Sequence, residues 1–323
     1  MGSPEINPYH AALQTTAFYQ YPQPGYLQIG GPDRASFLQR QTTNDVALLR
    51  PDRTLLTVLT SATGHILDVF YLLQEPEAIG AITLPGRQAL TARFLKSRIF
   101  FMDKVTVRDA STEFAQVDLL GPHAPQVLGH LGATSILTTG ETAALTLGGV
   151  VMRVLGPDRA FRLGFRLLVP AEIAAKLGSA LLRLKALRLD PATIDVLRIE
   201  AGFPEAVHEL TDQYTPLETG LGLAISDDKG CYTGQEIIAR QITYDKVTQH
   251  LSGLRLKKAV STGDRIWAEA KAVGVVTSSC ISPRFGPIAL AVIKRPYSQP
   301  ETTVSVGEDG AAAQVTALPF TNA

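Results

Sequence analysis

The sequence predicts an α+β protein, with a mixed body of strands and helices to about residue 245 and a run of short strands after it. Three observations carry this. Residues 54–60 and 65–73 are apolar runs separated by Ser-Ala-Thr-Gly, a hairpin signal. The stretch YLQIGGPDRASFL (26–38) is echoed by QVDLLGPHAPQVL (116–128), about ninety residues on. Past residue 246 the texture changes to HLSGLRLK, DRIWAEAK, AVGVVTSSCIS, PIALAVIKR, TTVSVGED and AAQVTALPF. Short β-like runs with Gly, Pro or charged breaks at that spacing indicate a small antiparallel barrel or sandwich.

In chain order, a Pro- and Tyr-rich lead at 19–26 runs into a short strand at 26–29. Gly31-Pro32-Asp33 then reads as a helix start with proline at the first position and an early acid; Phe37 and Leu38 form the apolar face. The hairpin follows, then a strand at 79–84. Gly86-Arg87 opens a helix with Leu90, Phe94, Leu95 and Arg98 at near-helical spacing, and a strand follows at 104–108. The echo at 116–128 repeats strand, Gly-Pro and helix. It suggests a duplicated subdomain, although strand–Gly–Pro–helix is also a common junction. A third GPDRA, at 156–160, lies between VVMRVL and FRLGFRLLV and reads as a hairpin loop. Residues 171–184 form an Ala/Leu-rich helix. Asp190-Pro191 caps and opens another, which presents Ile194, Leu197 and Ala201 and stops at Gly202. Glu200 falls in the last turn, where the helix field disfavours a negative charge, so its carboxylate needs a donor from a neighbour or a ligand. Pairing with Arg198 or a nearby loop is the plain alternative.

The chain's 323 residues exceed one ordinary core and suit two or three packed units. Hydrophobic residues at 45% and charged residues at 19% are those of a soluble globular protein. Basic and acidic residues balance at 30 each, so no global field draws nucleic acid or an anionic membrane, and neither is expected as a strong partner. Two cysteines, Cys231 and Cys280, make neither a disulfide framework nor a metal-ligand pair, which fits a reducing cytoplasm. The N-terminus lacks a basic region followed by an apolar run, so no signal peptide is expected. The six histidines are scattered, and no metal site, catalytic triad, Walker loop or dinucleotide-binding glycine pattern stands out. Cys280 lies inside a β-like run as an inert strand or core residue, and the lone Trp267 is expected to pack the barrel.

The stretch with most chemistry is DDKGCYTGQEIIARQ (227–241). Thr233 and Glu236 have the T-x-x-E spacing of a capping box, predicting a helix from Thr233 through Arg240. Cys231 would sit just ahead of its N-terminus with Lys229 two residues away, both of which favour thiolate, while Asp227 and Asp228 oppose it. A small buried cysteine in a Gly-rich turn is the competing reading.

The string KGCYTGQE (229–236) resembles the signature of folate-binding YgfZ-type proteins, bacterial relatives of the glycine-cleavage T-protein (aminomethyltransferase). QTTNDV (41–46), GHILDVF (64–70) and LRIEAGFPE (197–205) are similar to pieces of the same family. With the strand-rich C-terminal segment, the resemblance covers nearly the whole chain. It implies a T-protein-like folate-binding body of two interleaved ferredoxin-like subdomains over residues 1–245 and a C-terminal β-barrel over 246–323. It implies tetrahydrofolate as cofactor in a central opening, and Glu200 matches the glutamate that related T-proteins use to hold the pterin. Asp68 and Gln235, from the matching motifs, join it as folate-binding candidates. Cys231 and Lys229 become the catalytic candidates, with Cys231 doing thiol chemistry or briefly ligating a cluster.

The function so implied is a folate-binding accessory factor for iron–sulfur client proteins, including those that modify tRNA. A folate-dependent aminomethyltransferase is the alternative, and a non-catalytic folate-binding scaffold is another. T-proteins resemble GHILDVF in having two adjacent aspartates, one important for catalysis, whereas Asp68 here is followed by Val69. They also generally lack a cysteine at the position of Cys231.

Overall fold

The computed structural model describes residues 7–158 and 164–321. It opens with two elements that the sequence did not signal, α1 (Pro8–Gln14) and β1 (Ala17–Gln20). Asn7 caps α1 by accepting from the His10 N–H. The first unit is β2 (Gly25–Gly30), α2 (Arg34–Gln41), β3 (Leu55–Thr60), β4 (Ile66–Gln74), β5 (Ala78–Thr83), α3 (Gln88–Ser97) and β6 (Thr106–Asp109). The second is β7 (Phe114–Leu120), α4 (Ala124–His130), β8 (Thr142–Leu147), β9 (Val150–Leu155), β10 (Phe165–Pro170), α5 (Ala171–Arg183) and β11 (Leu187–Arg188).

The two units share one plan. The first sheet runs β3-β4-β5-β2-β6, and the second runs β8-β9-β10-β7-β1-β11. Removing β1 makes the orders identical. In each, four strands follow the ferredoxin-like order with a fifth added at one edge. The N-terminal β1 is inserted into the second sheet, antiparallel to β7 and parallel to β11, and so interleaves the units. The echoed stretches therefore hold equivalent places in two units built on one plan.

The shared junction has a steric cause. Gly31 and Gly121 take φ of +93° and +102°, and a Cβ at either would fall 2.1 Å from the Lys104 carbonyl oxygen or 2.4 Å from that of Thr15. The prolines that follow do not open the helices. The Arg34 N–H bonds the Gly31 carbonyl at 3.3 Å and the Ala124 N–H bonds that of Gly121 at 3.1 Å. Pro32 is thus the second residue of a turn, a place its fixed φ suits, and α2 starts two residues later than expected.

β9 and β10 pair antiparallel as expected, although residues 159–160 of the proposed loop lie outside the described residues. Helix α6 (Pro191–Glu200) begins as read, with Asp190 accepting from the Thr193 N–H at 2.8 Å. Helix α7 (Gln235–Thr243) does not. Gly234, at φ +83°, is its cap residue, and Thr233 makes no capping bond. The Thr233 backbone is already engaged: its carbonyl accepts the Thr60 hydroxyl and its N–H donates to the Arg40 carbonyl. Glu236 pairs with Arg240 at 2.7 Å instead.

The C-terminal strands are β12 (Gln249–Leu256), β13 (Arg265–Ala268), β14 (Lys271–Ser282), β15 (Gly286–Lys294), β16 (Thr303–Val306) and β17 (Ala311–Thr316). They close into a barrel, β12-β15-β14-β13-β16-β17, rather than a sandwich. Its interior is filled by Leu254, Ile266, Val276, Ala289, Val304 and Val315. Trp267 is half-buried on β13, outside that interior cluster. Helix α6 joins body to barrel. Ile199 packs with Ile288, Leu290 and Phe320, and the Phe320 N–H donates to the Glu200 carbonyl at 2.9 Å.

Candidate functional site

A cavity of 490 Å³ opens between the two sheets and α6. Tyr19 on β1, Tyr21 beyond it, and Val69, Tyr71, Ile82 and Leu84 on β4, β5 and the residue after it give aromatic and aliphatic walls. Strand alternation decides which residues reach it, because neighbours on a strand point to opposite faces. Val69 and Tyr71 line the cavity, whereas Asp68 lies fully buried behind the wall. The Asp68 carboxylate accepts from the Val69 N–H at 2.8 Å, the Leu84 N–H at 3.1 Å and the Thr91 hydroxyl on α3. Burial pushes this carboxyl up to about 7, against those hydrogen bonds, which favour the anion.

Two ionic groups add polarity to the walls. Arg166 forks onto Asp118 at 2.7 and 2.8 Å, both nearly fully buried. The Tyr21 hydroxyl donates to Asp118 at 2.9 Å and accepts from Arg166 at 2.9 Å, which leaves the pair well satisfied. On α6, Arg198 gathers three carboxylates: Asp195 at 2.6 Å, Glu205 at 2.9 Å and Glu209 at 3.4 Å. It also reaches Ser278 on the barrel at 2.9 Å and the Phe203 carbonyl at 3.3 Å. Glu209 is fully buried and takes a further 2.6 Å bond from Ser278. Asp195, Arg198, Glu205 and His208 all line the cavity. Burial raises the Glu205 carboxyl above its usual range, with Arg198 pulling it back. Asp195 and Glu205, the two of these carboxylates that line the cavity, leave this end of it rich in acceptors.

Glu200 does not line this cavity. Positions two apart on a helix do not face the same way, so Arg198 and Glu200 point to different sides of α6 and are not partners. The donors that Glu200 needs are the Tyr9 hydroxyl at 2.6 Å and the Ser282 hydroxyl on β14. Its carboxylate tethers α1, α6 and the barrel beside a smaller, separate pocket of 280 Å³.

Lys229, Cys231 and Gln235 lie along the segment that covers the β3–β4 turn. The buried Lys229 ammonium donates to the Thr42 carbonyl at 2.6 Å and the Asn44 carbonyl at 2.7 Å. Burial pushes it down to about 8, and Asp45 is the charge opposing that shift. Three of the family-like strings meet here: 41–46 through Lys229, and 64–70 through Gly64, which abuts Ile237 and Gly234 just beyond KGCYT. Cys231 is exposed at this junction, while Cys280 is half-buried with its thiol pushed up to about 12 by burial and by Asp195 and Glu200. Gln235 is the first residue of α7 and is not among the cavity-lining residues.

Sequence reasoning missed the Asp118–Arg166–Tyr21 group and the cavity role of Arg198. The Asp195–Arg198 spacing, with Pro191 and Ile194 on the same helical stripe, is the signal that could have found the latter. Asp118 and Arg166 stand 48 positions apart and meet only through β7–β10 pairing.

Comparison with known proteins bears on both regions. Residues 9–229 match the GCVT N-terminal domain family, and residues 249–322 match the glycine cleavage T-protein C-terminal barrel domain. A putative chloroplastic transferase of Arabidopsis thaliana is 31% identical, over 88% of this chain and 67% of its own length. A probable aminomethyltransferase of Natronomonas pharaonis is 32% identical, over 92% and 85%. The crystal structure of glycine cleavage system aminomethyltransferase T from Bartonella henselae superposes with a TM-score of 0.87. At 21% identity over 98% of this chain and 89% of that one, this likeness establishes the fold.

Proposed function

The chain belongs to the glycine cleavage T-protein family, and on that premise we propose that it binds a reduced folate in its central cavity without transferring an aminomethyl group. Tetrahydrofolate is the one-carbon carrier of the family, and the cavity's acceptors fit it. At 490 Å³ the cavity lies within the usual range for small-molecule sites. Its tyrosine and aliphatic walls suit a flat pterin ring. The acceptors at the Arg198 end suit the ring's amino group and N–H, which a carboxylate can receive in parallel. Asp195 and Glu205 are the carboxylates in reach of such a ligand; Glu200 and Asp68 hold the frame behind it. When bound, the folate would supply a site for carrying a one-carbon unit.

The observation that carries the reading is Val69. T-proteins resemble this stretch but place a second aspartate there. Here the wall position is apolar, and the remaining carboxylate, Asp68, is turned away and occupied by three donors. A cavity without that acid can hold and orient folate and exclude water, yet lacks a proton-handling group at that strand position.

The fuller reading is a YgfZ-type accessory factor for iron–sulfur proteins, including tRNA-modifying enzymes. Cys231 would be its working thiol, supported by exposure and by a position where three family-like strings converge. Lys229 would serve by fixing the segment. The aminomethyltransferase reading has the Natronomonas relative's name in its favour. Calorimetry with tetrahydrofolate and a turnover assay with its methylene form separate the two: binding without turnover is expected, and rapid turnover overturns the proposal. Complementation by Cys231→Ala tests the accessory role, which loss of cluster-enzyme activity would support and full rescue would sink.

A further inference from the structure

We infer that the turn at 100–102 is a docking tip for an anionic lipid surface. Phe100, Phe101 and Met102 are consecutive and exposed to 65%, 99% and 75%. Such exposure of three bulky apolar side chains at one point is costly in water and marks a contact surface. The turn is also held in shape. The Asp103 N–H donates to the Phe100 carbonyl at 2.9 Å, and the Asp103 carboxylate accepts from the Phe100 N–H at 3.0 Å. Arg40 on α2 clamps both Asp103 oxygens at 2.8 and 3.0 Å, which pins the turn to the body. The apolar side chains are thus presented outward by a fixed backbone and cannot readily fold back.

The charge around the tip selects the occupant. Residues 93–104 contain Arg93, Lys96, Arg98 and Lys104, all exposed. Their one acid is Asp103, already committed to Arg40. A convex apolar tip inside a basic collar fits the headgroup–acyl boundary of an anionic bilayer, with the aromatic side chains entering and the lysines and arginines meeting phosphates. A protein partner would have to provide a matching socket, whereas a fluid interface closes around a tip. The chain has no net charge, so this attraction is local and acts within about a Debye length, ~8–10 Å. Among the described residues no helix is long and apolar enough to cross a membrane.

Co-sedimentation of the full chain with phosphatidylcholine vesicles, with and without about a quarter phosphatidylserine, tests this. Binding should require phosphatidylserine and fall with added salt. The pair Phe101→Ser and Met102→Ser should lower the partition coefficient about tenfold or more. The pair Lys96→Glu and Lys104→Glu should abolish the dependence on phosphatidylserine. All four side chains are exposed, so melting temperatures should stay near that of the parent. Failure of the parent protein to sediment, or equal binding by the tip variant, overturns the assignment. Binding of a single-stranded oligonucleotide through the same side chains, in place of vesicles, would also overturn it, in favour of nucleic acid.

Discussion

The cavity wall and the segment carrying Cys231 both bury cations, and they answer them differently. Arg166 meets a full opposite charge: Asp118 forks onto it, and the Tyr21 hydroxyl completes the group. Lys229, equally removed from solvent, is held by two backbone carbonyls. A guanidinium bound to a carboxylate stays charged throughout the working pH range. An ammonium answered by neutral dipoles does not, and Lys229 is pushed down to about 8. One region is locked electrostatically and lines a ligand-sized space. The other is fastened by the Lys229 hydrogen bonds and the buried Tyr232 ring, with no carboxylate bound to its cation among the described residues, and leaves its thiol exposed. The charge-locked wall is thus the stiffer of the two regions, and the segment held by neutral dipoles the more yielding.

The largest effect should come from breaking the locked side. Arg166→Ala strands Asp118 as a buried, unpaired carboxylate, a loss of about 3–5 kcal/mol in denaturant unfolding. Adding Asp118→Asn should recover much of it, since the cost lies in the orphaned charge. A loss no greater than that of a Lys229 variant would erase the comparison.

Next in size is the cavity's acceptor end. Glu205→Gln should weaken tetrahydrofolate binding about ten- to a hundredfold, because a bond to a charged group contributes roughly 1.5–3 kcal/mol. Glu200→Gln keeps an oxygen for Tyr9 and Ser282 and should leave affinity near that of the parent. Calorimetry on both variants checks this, and the reverse ranking would return the pterin to Glu200.

Lys229→Met leaves the Thr42 and Asn44 carbonyls without their donor, a cost of about 1–3 kcal/mol. It should also change the pH dependence. The folded ammonium titrates near 8, below the ordinary 10.5, so between these values the unfolded chain binds more protons. Stability therefore rises with pH across that window in the parent and is lost as pH falls through about 8. The Met variant should lack this slope in unfolding curves taken from pH 7.5 to 10.5. An identical slope in both would mean that Lys229 is not the titrating group.

Much of the fold was legible because its signals are local. The hairpin, the echoed Gly-Pro junctions and the β-rich tail all announce themselves within a dozen residues. What escaped depends on distant partners. β1 looked like a Pro/Tyr-rich lead because nothing near it in sequence says that it pairs with residues around 120 and 187. The capping box failed because the Thr233 backbone was already bonded to Thr60 and Arg40. The site was harder still. LRIEAG draws attention to Glu200, yet helical geometry sends that side chain to the barrel and Arg198 toward the cavity. Lys229 and Cys231 are two residues apart in sequence, yet one is buried and the other exposed.

That last contrast gives the smallest effect on the fold and the sharpest test of the yielding side. Cys280 sits half-buried on β14 with its thiol pushed up to about 12, so little thiolate exists at neutral pH. Cys231 is open to solvent. Alkylation of the native protein should therefore modify Cys231 far faster than Cys280, as measured on the Cys231→Ser and Cys280→Ser variants across pH. Cys231→Ser should barely alter the melting temperature, since an exposed side chain in a turn contributes little packing. Equal rates at the two thiols would mean that the segment shields Cys231 in solution. A marked loss of stability in Cys231→Ser would make that residue part of the frame that Lys229 holds, and the division between locked wall and yielding segment would no longer stand.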